Sequence, residues 1–92
     1  MSDFDTRFAA LQQRFKDLAK LQLAELETAL AGQNWLTIRD VSHSLSGRAG
    51  MFGFAELGEI AQALEEAIDT NLPEANRSAL CDQLLTMLRG VD

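Results

Sequence analysis

The chain contains a single histidine, His43, which opens the stretch HSLSGRAGMFGF (residues 43–54). An imidazole is the side chain best placed to act as a nucleophile or to exchange a proton near neutral pH. Gly47, Gly50 and Gly53 follow it at three-residue steps within a stretch of helical periodicity. Each interior glycine costs a helix about 1 kcal/mol relative to alanine. The helix turns about 100° per residue. With Ile38 placed at zero, Leu45, Ala49 and Phe52 fall within about 40° of it and Trp35 about 60° away, while His43 lies about 140° round. The ring is therefore expected on the exposed side, on a face shared with Leu36, Arg39, Asp40, Gly47 and Gly50. Helical side chains lean toward the N-terminus, so positions 46 and 47 lean back over His43. Glycine at 47 clears space beside the imidazole, and Gly50 lowers the wall one turn further on. Helix stability is given up so that a bulky group can approach the ring.

The plain alternative is that a lone surface histidine is idle and that small residues at this spacing let two helices pack. Gly53 suits such a structural role as a helix terminus; Gly47 does not, because it lies away from the apolar stripe. Other chemistry has less support. One histidine and one cysteine leave only scattered carboxylates for a metal, so no metal site is expected. No glycine-rich loop precedes a helix to cradle phosphates, so ATP binding and kinase activity are not expected. Cys81 sits beside an apolar stripe and reads as an inert buried thiol. Met51, Phe52, Phe54 and Trp35 read as core or cap packing.

The elements that must position His43 are all helical. Proline occurs once and no segment alternates apolar and polar residues over strand length. Phe4, Phe8, Leu11, Phe15 and Leu18 recur at steps of three and four, and Leu23, Leu26 and Leu30 continue after a shift in phase. This predicts one long helix, or two joined at a kink near Leu21, from about Asp3 to a stop at Gly32. Asn34 is placed to cap a second helix that carries Trp35, Ile38, Leu45, Ala49 and Phe52 and ends at Gly53. A third helix is expected over 54–69, with Leu57, Ala61, Leu64 and Ile68 as its stripe. The Thr70–Pro73 connection opens a fourth, with Pro73 in its first turn and Leu80, Leu84, Met87, Leu88 and Val91 facing inward. Short connections make neighbours antiparallel, so the expected fold is all-α, an up-down-up-down four-helix bundle forming one domain over residues 1–92.

Composition agrees with this plan. Apolar residues make up 47% and charged residues 24%, a globular balance. Eight Lys and Arg against 14 Asp and Glu give a net charge of −6, which disfavours nucleic acid and anionic membrane surfaces as partners. No apolar run has bilayer length and the polar N-terminus is no signal peptide, so a cytoplasmic, monomeric protein is expected.

His43, Leu45, Ser46, Gly47 and Gly53, together with Ala49, Gly50, Leu57 and the pair Leu64 and Glu65, resemble the histidine-containing phosphotransfer (HPt) family of bacterial phosphorelays. That family's pattern is a phosphorylatable histidine, an apolar residue two later, lysine at the third position, glycine at the fourth and glycine at the tenth. The stretch is especially similar to its counterpart in the phosphorylatable N-terminal domain of chemotaxis histidine kinases. The resemblance implies that His43 exchanges a phosphoryl group with an aspartate of response-regulator receiver domains, with a sensor or hybrid histidine kinase upstream. It implies a phosphocarrier with no cofactor of its own, the receiver supplying Mg²⁺. It also implies that Glu65 hydrogen-bonds Nδ1 and leaves Nε2 as the nucleophile. Ser46 departs from the pattern's lysine, which steadies the phosphoryl group. Arg39, about 20° from Ser46 around the axis, is placed to substitute, or else is a solvated arginine paired with a carboxylate; Arg48 lies on the far side of the stripe. Leu36, exposed on the His43 face with Asp40, Gly47 and Gly50, suggests a docking surface. Two further readings remain open: a receiver-docking module that works without phosphorylation, and a plain structural bundle.

Overall fold

The computed structural model describes residues 3–91; Met1, Ser2 and Asp92, which the expected 1–92 span includes, lie outside the described residues. Four α-helices follow one another: α1 (Asp3–Ala31), α2 (Trp35–Ala49), α3 (Ala55–Asp69) and α4 (Glu74–Arg89), with a 3-10 turn over Gly50–Phe52 after α2. Consecutive helices pack side by side and α4 returns to pack on α1, while the backbones of the diagonal pairs stay apart. The bundle is thus an all-α, up-down-up-down square.

The first helix runs unbroken for 29 residues, with no kink or split near Leu21. The apparent shift of phase has a different cause. Its buried positions are Phe15, Ala19, Gln22, Leu26 and Ala29, so the inward stripe passes through a small and a polar residue. Leu18, Leu23 and Leu30 flank it, and Leu21 is exposed. At 1.5 Å per residue α1 is about 43 Å long against about 22 Å for α2, so its N-terminal part outruns the helices it packs on. Phe4 and Leu11, expected in the stripe, are exposed there, Phe4 at 72%; Phe4 stacks on the half-buried Phe8 instead.

The three connections share one device. After α1 the left-handed residue is Gln33 (φ 53°), not Gly32, and the N–H of Asn34 reaches back to the carbonyl of Ala29. After the 3-10 turn it is Gly53 (φ 90°), with Phe54 N–H on Ala49 O; after α3 it is Asn71 (φ 55°), with Leu72 N–H on Ala67 O. Each closes the orphan carbonyls of its helix in a Schellman pattern. The second helix therefore stops as an α-helix at Ala49, four residues before the expected end, and tightens over Gly50–Phe52 into the left-handed Gly53. Asn34 caps α2, its side chain accepting the Thr37 N–H at 3.2 Å. Pro73 is the cap of α4 and not part of its first turn; its carbonyl accepts from Asn76 and Arg77.

The core joins Phe15 and Leu26 of α1, Ile38 and Leu45 of α2, Leu57 and Leu64 of α3, and Leu84 and Leu88 of α4. Phe15 also stacks on Phe54 at 5.0 Å, fastening α1 to the loop beyond the 3-10 turn. Gln12 adds a side-chain hydrogen bond to the carbonyl of Phe52. Burying Ile38, Leu45 and Ala49 fixes the rotation of α2, and that rotation turns the His43 side outward.

Candidate functional site

His43 sits midway along α2 with 69% of its side chain exposed. Its Nδ1 lies 2.6 Å from Oε2 of Glu65, whose side chain is only 14% exposed between α2 and α3. A contact this short to a carboxylate orients the ring and leaves Nε2 as its free nitrogen.

Antiparallel packing sets a simple register across α2 and α3. One turn before His43 on α2 stands Arg39; one turn after Glu65 on α3 stands Asp69. The guanidinium of Arg39 donates from Nε to Asp69 Oδ1 at 2.8 Å and from Nη2 to Oδ2 at 3.4 Å. Nη2 also lies 3.6 Å from Glu65 Oε2, and Nη1 lies 3.5 Å from Asp40. Arg39 is thus surrounded by three carboxylates. The hydrogen bond and charge of Asp69 hold Arg39 above its ordinary pKa, and the same hydrogen bond holds the Asp69 carboxyl below the usual aspartate value.

The register continues toward the end of α2, where Gly58 meets Gly50. A Cβ on Gly58 would lie 3.4 Å from the Gly50 nitrogen, 3.5 Å from Ala49 Cβ and 3.6 Å from the Ser46 carbonyl. Position 58 has room for a methyl group against α2 and for little more, so a small residue there keeps α3 close to α2. On the outer side, a Cβ on Gly47 or Gly50 would meet nothing within 4 Å. The ground beside the ring is open.

The other residues singled out from the sequence fall as follows. The hydroxyl of Ser46 donates to the carbonyl of His43 at 2.9 Å, within its own helix. Leu36 is 76% exposed and Asp40 and Gly47 are exposed on the same face. On the opposite flank Gln22 of α1 approaches Ser44 at 3.5 Å, tying α1 to the helix that bears the histidine. Cys81 is buried, and desolvation followed by the charge of Asp82 pushes its thiol up to about 11.

Asp69 and Gly58 are the residues that sequence reasoning overlooked. Asp69 was countable only as one helix charge among several in α3. Its signal was the pairing of two one-turn steps, Arg39 to His43 and Glu65 to Asp69, on helices whose short loop makes them antiparallel. Gly58 lay on the inner side of α3, next to the stripe residue Leu57.

A helical bundle with an exposed, carboxylate-held histidine midway along its second helix is the arrangement of a phosphotransfer domain. The family model of the Hpt domain matches residues 10–92, and the chain belongs to that family. Its members carry phosphoryl groups on histidine in the phosphorelays of two-component signalling. Searches of curated proteins and of solved structures returned no match. No helix among the described residues is long and apolar enough to cross a membrane.

Proposed function

We propose that the protein is a phosphorelay intermediate that accepts and donates a phosphoryl group on Nε2 of His43. The observation that carries this reading is the exposed ring with Nδ1 held 2.6 Å from Glu65 beside open ground at Gly47. In the transfer, the Nε2 lone pair attacks the phosphorus of an aspartyl phosphate on a receiver domain. The bond between phosphorus and the aspartyl oxygen breaks, and the receiver regains its carboxylate. The Nδ1 proton stays on the ring, so the phosphorylated imidazole carries a positive charge that the Glu65 carboxylate offsets. No proton has to leave, and the reverse step returns the group by the same path.

Such chemistry is mainly positioning and charge stabilisation. The receiver supplies Mg²⁺, and this chain supplies a nucleophile and a surface. Leu36, Asp40, Gly47 and Gly50 form that surface, and Ser46, whose hydroxyl donates to the His43 carbonyl, would have to give up that bond to contact the phosphoryl group. A sensor or hybrid histidine kinase stands upstream, and the chain itself is a phosphocarrier without kinase activity. Incubation with a receiver phosphorylated on aspartate, in the presence of Mg²⁺, tests the reading: acid-labile label should pass to the native chain. Binding without transfer would instead favour a docking module, a reading supported by Ser46, which has no charge and spends its hydroxyl on its own helix. Neither binding nor transfer would leave a structural bundle.

A further inference from the structure

We propose that Arg39 and Asp69 form a positioning pair that fixes the Glu65 carboxylate on Nδ1 of His43, so that the tautomer of the reactive ring is set by residues that never touch it. The inference deepens the phosphotransfer reading and rests on it for its functional meaning.

The geometry is a closed rectangle across two helices. Arg39 and His43 are one turn apart on α2, Glu65 and Asp69 one turn apart on α3, and the antiparallel register brings the pairs face to face. Two of its edges and one diagonal are polar contacts: the edges are Nδ1 to Glu65 Oε2 at 2.6 Å and Arg39 to Asp69 through the two bonds at 2.8 and 3.4 Å, and the diagonal is the same Oε2 to Arg39 Nη2 at 3.6 Å. A glutamate has three rotatable bonds, and a single contact to an exposed ring fixes it poorly. The second contact from the same oxygen to a guanidinium gives it an anchor on α2. That guanidinium is itself held, because its planar fork is matched by the Asp69 carboxylate.

Charge makes the same demand. Glu65 and Asp69, one turn apart on one helix face, repel each other when no cation lies between them. Asp40 adds a third carboxylate on the His43 side, 3.5 Å from Nη1. Arg39 is the cation at the centre of these three. Removing it leaves Glu65 pushed from one side and held only by the imidazole. Removing Asp69 leaves the guanidinium free to follow Asp40 outward, since that carboxylate is 76% exposed. In either case the carboxylate leaves Nδ1 for part of the time, and the ring regains access to the tautomer protonated on Nε2, in which that nitrogen has no lone pair to attack phosphorus. With its nitrogens engaged by carboxylates, Arg39 is a positioning residue and not a stand-in for the family's lysine.

The ring tautomer can be read directly from long-range ¹H–¹⁵N spectra of histidine-labelled protein at a pH where the imidazole is neutral. The native chain should show the Nδ1–H form. Asp69→Asn and Arg39→Gln should each shift the ring toward Nε2–H, and each should slow transfer from a phosphorylated receiver by about tenfold, the low end of what losing an outer hydrogen-bond partner costs a reactive group. Arg39→Lys should restore part of the loss, because an ammonium keeps the charge without the fork. A native tautomer ratio in both Asp69→Asn and Arg39→Gln would overturn the proposal, whatever the transfer rates. The tautomer measurement needs no partner. If the ratio moves while the native chain accepts no phosphoryl group, the positioning pair stands and the phosphotransfer reading falls.

Discussion

At the scale of the residue, the chemistry depends on which ring nitrogen holds the proton and what lies beside the other. Glu65 answers the first question and Gly47 the second. Replacing the imidazole with an amide of similar reach should remove the nucleophile from an exposed site without disturbing the core. His43→Gln should therefore melt like the native chain and take up no acid-labile label; label retained on that variant would place the acceptor elsewhere. Asp69 offers an independent check on the ion pair. Arg39 lowers its folded pKa below the ordinary 3.8, so its contribution to stability is present above that value and is lost as pH falls through the lower, folded one. Asp69→Asn should thus melt slightly below the native chain at neutral pH, and the two should converge in acid. The difference at neutral pH should be small, because the pair is exposed to water. Equal melting at neutral pH would show that the ion pair contributes nothing to folding.

At the scale of the element, α2 is built to be weak on one side and tightly packed on the other. The outer side carries Gly47, where a methyl group meets no atom within 4 Å. Gly47→Ala should gain up to about 1 kcal/mol of helix stability, and Gly47→Leu should fold well yet slow transfer by covering the ring. Transfer by Gly47→Leu at the native rate would remove the clearing from the mechanism. The inner side is governed by Gly58. A single Cβ there reaches ordinary contact distance from Gly50, Ala49 and Ser46, so Gly58→Ala should be tolerated. Gly58→Leu drives further atoms into the backbone of α2 and should lose about 1–3 kcal/mol, as overpacked cores do. It should also push α3 outward and release Glu65 from the ring, which the same tautomer spectra would register. The two glycines show what the sequence could and could not make legible. Gly47 could be interpreted because helical angles within one element placed it opposite the stripe. Gly58 and Asp69 act between elements, and their meaning depends on the register of α3 on α2. The long first helix was legible as one element, but its buried stripe was not, for a related reason: the stripe runs through Ala19 and Gln22, and apolar periodicity followed the flanking leucines instead. Its exposed end at Phe4 reflects the length of its neighbours, which no pattern within α1 records.

At the scale of the whole molecule, the helices close one core that α4 completes, and Cys81 lies in it with no exposed surface. That makes the lone thiol a reporter of global opening. Two barriers protect it in the folded chain: reagent cannot reach it, and desolvation pushes its pKa from 9.0 to about 11, so little thiolate exists at neutral or mildly alkaline pH. Labelling by a thiol reagent should then follow unfolding, with a rate that rises in denaturant in step with the loss of helix signal. Trp35, the single tryptophan, stands at the start of α2 beneath the guanidinium of Arg77 at 4.6 Å and gives an independent optical probe of the same transition. The sign of the pH effect is fixed by the direction of the shift. Below about pH 9 the thiol is protonated in both states and contributes no pH dependence; between 9 and 11 the unfolded chain loses its proton first, so stability falls as pH rises through that window. Cys81→Ala should remove this alkaline slope while costing some stability through the smaller side chain. Denaturant midpoints measured across that pH range on both chains decide the matter. An identical slope in the two would assign the alkaline loss to other groups, and rapid labelling of the native chain in the absence of denaturant would show that the core around α4 opens without the rest of the bundle.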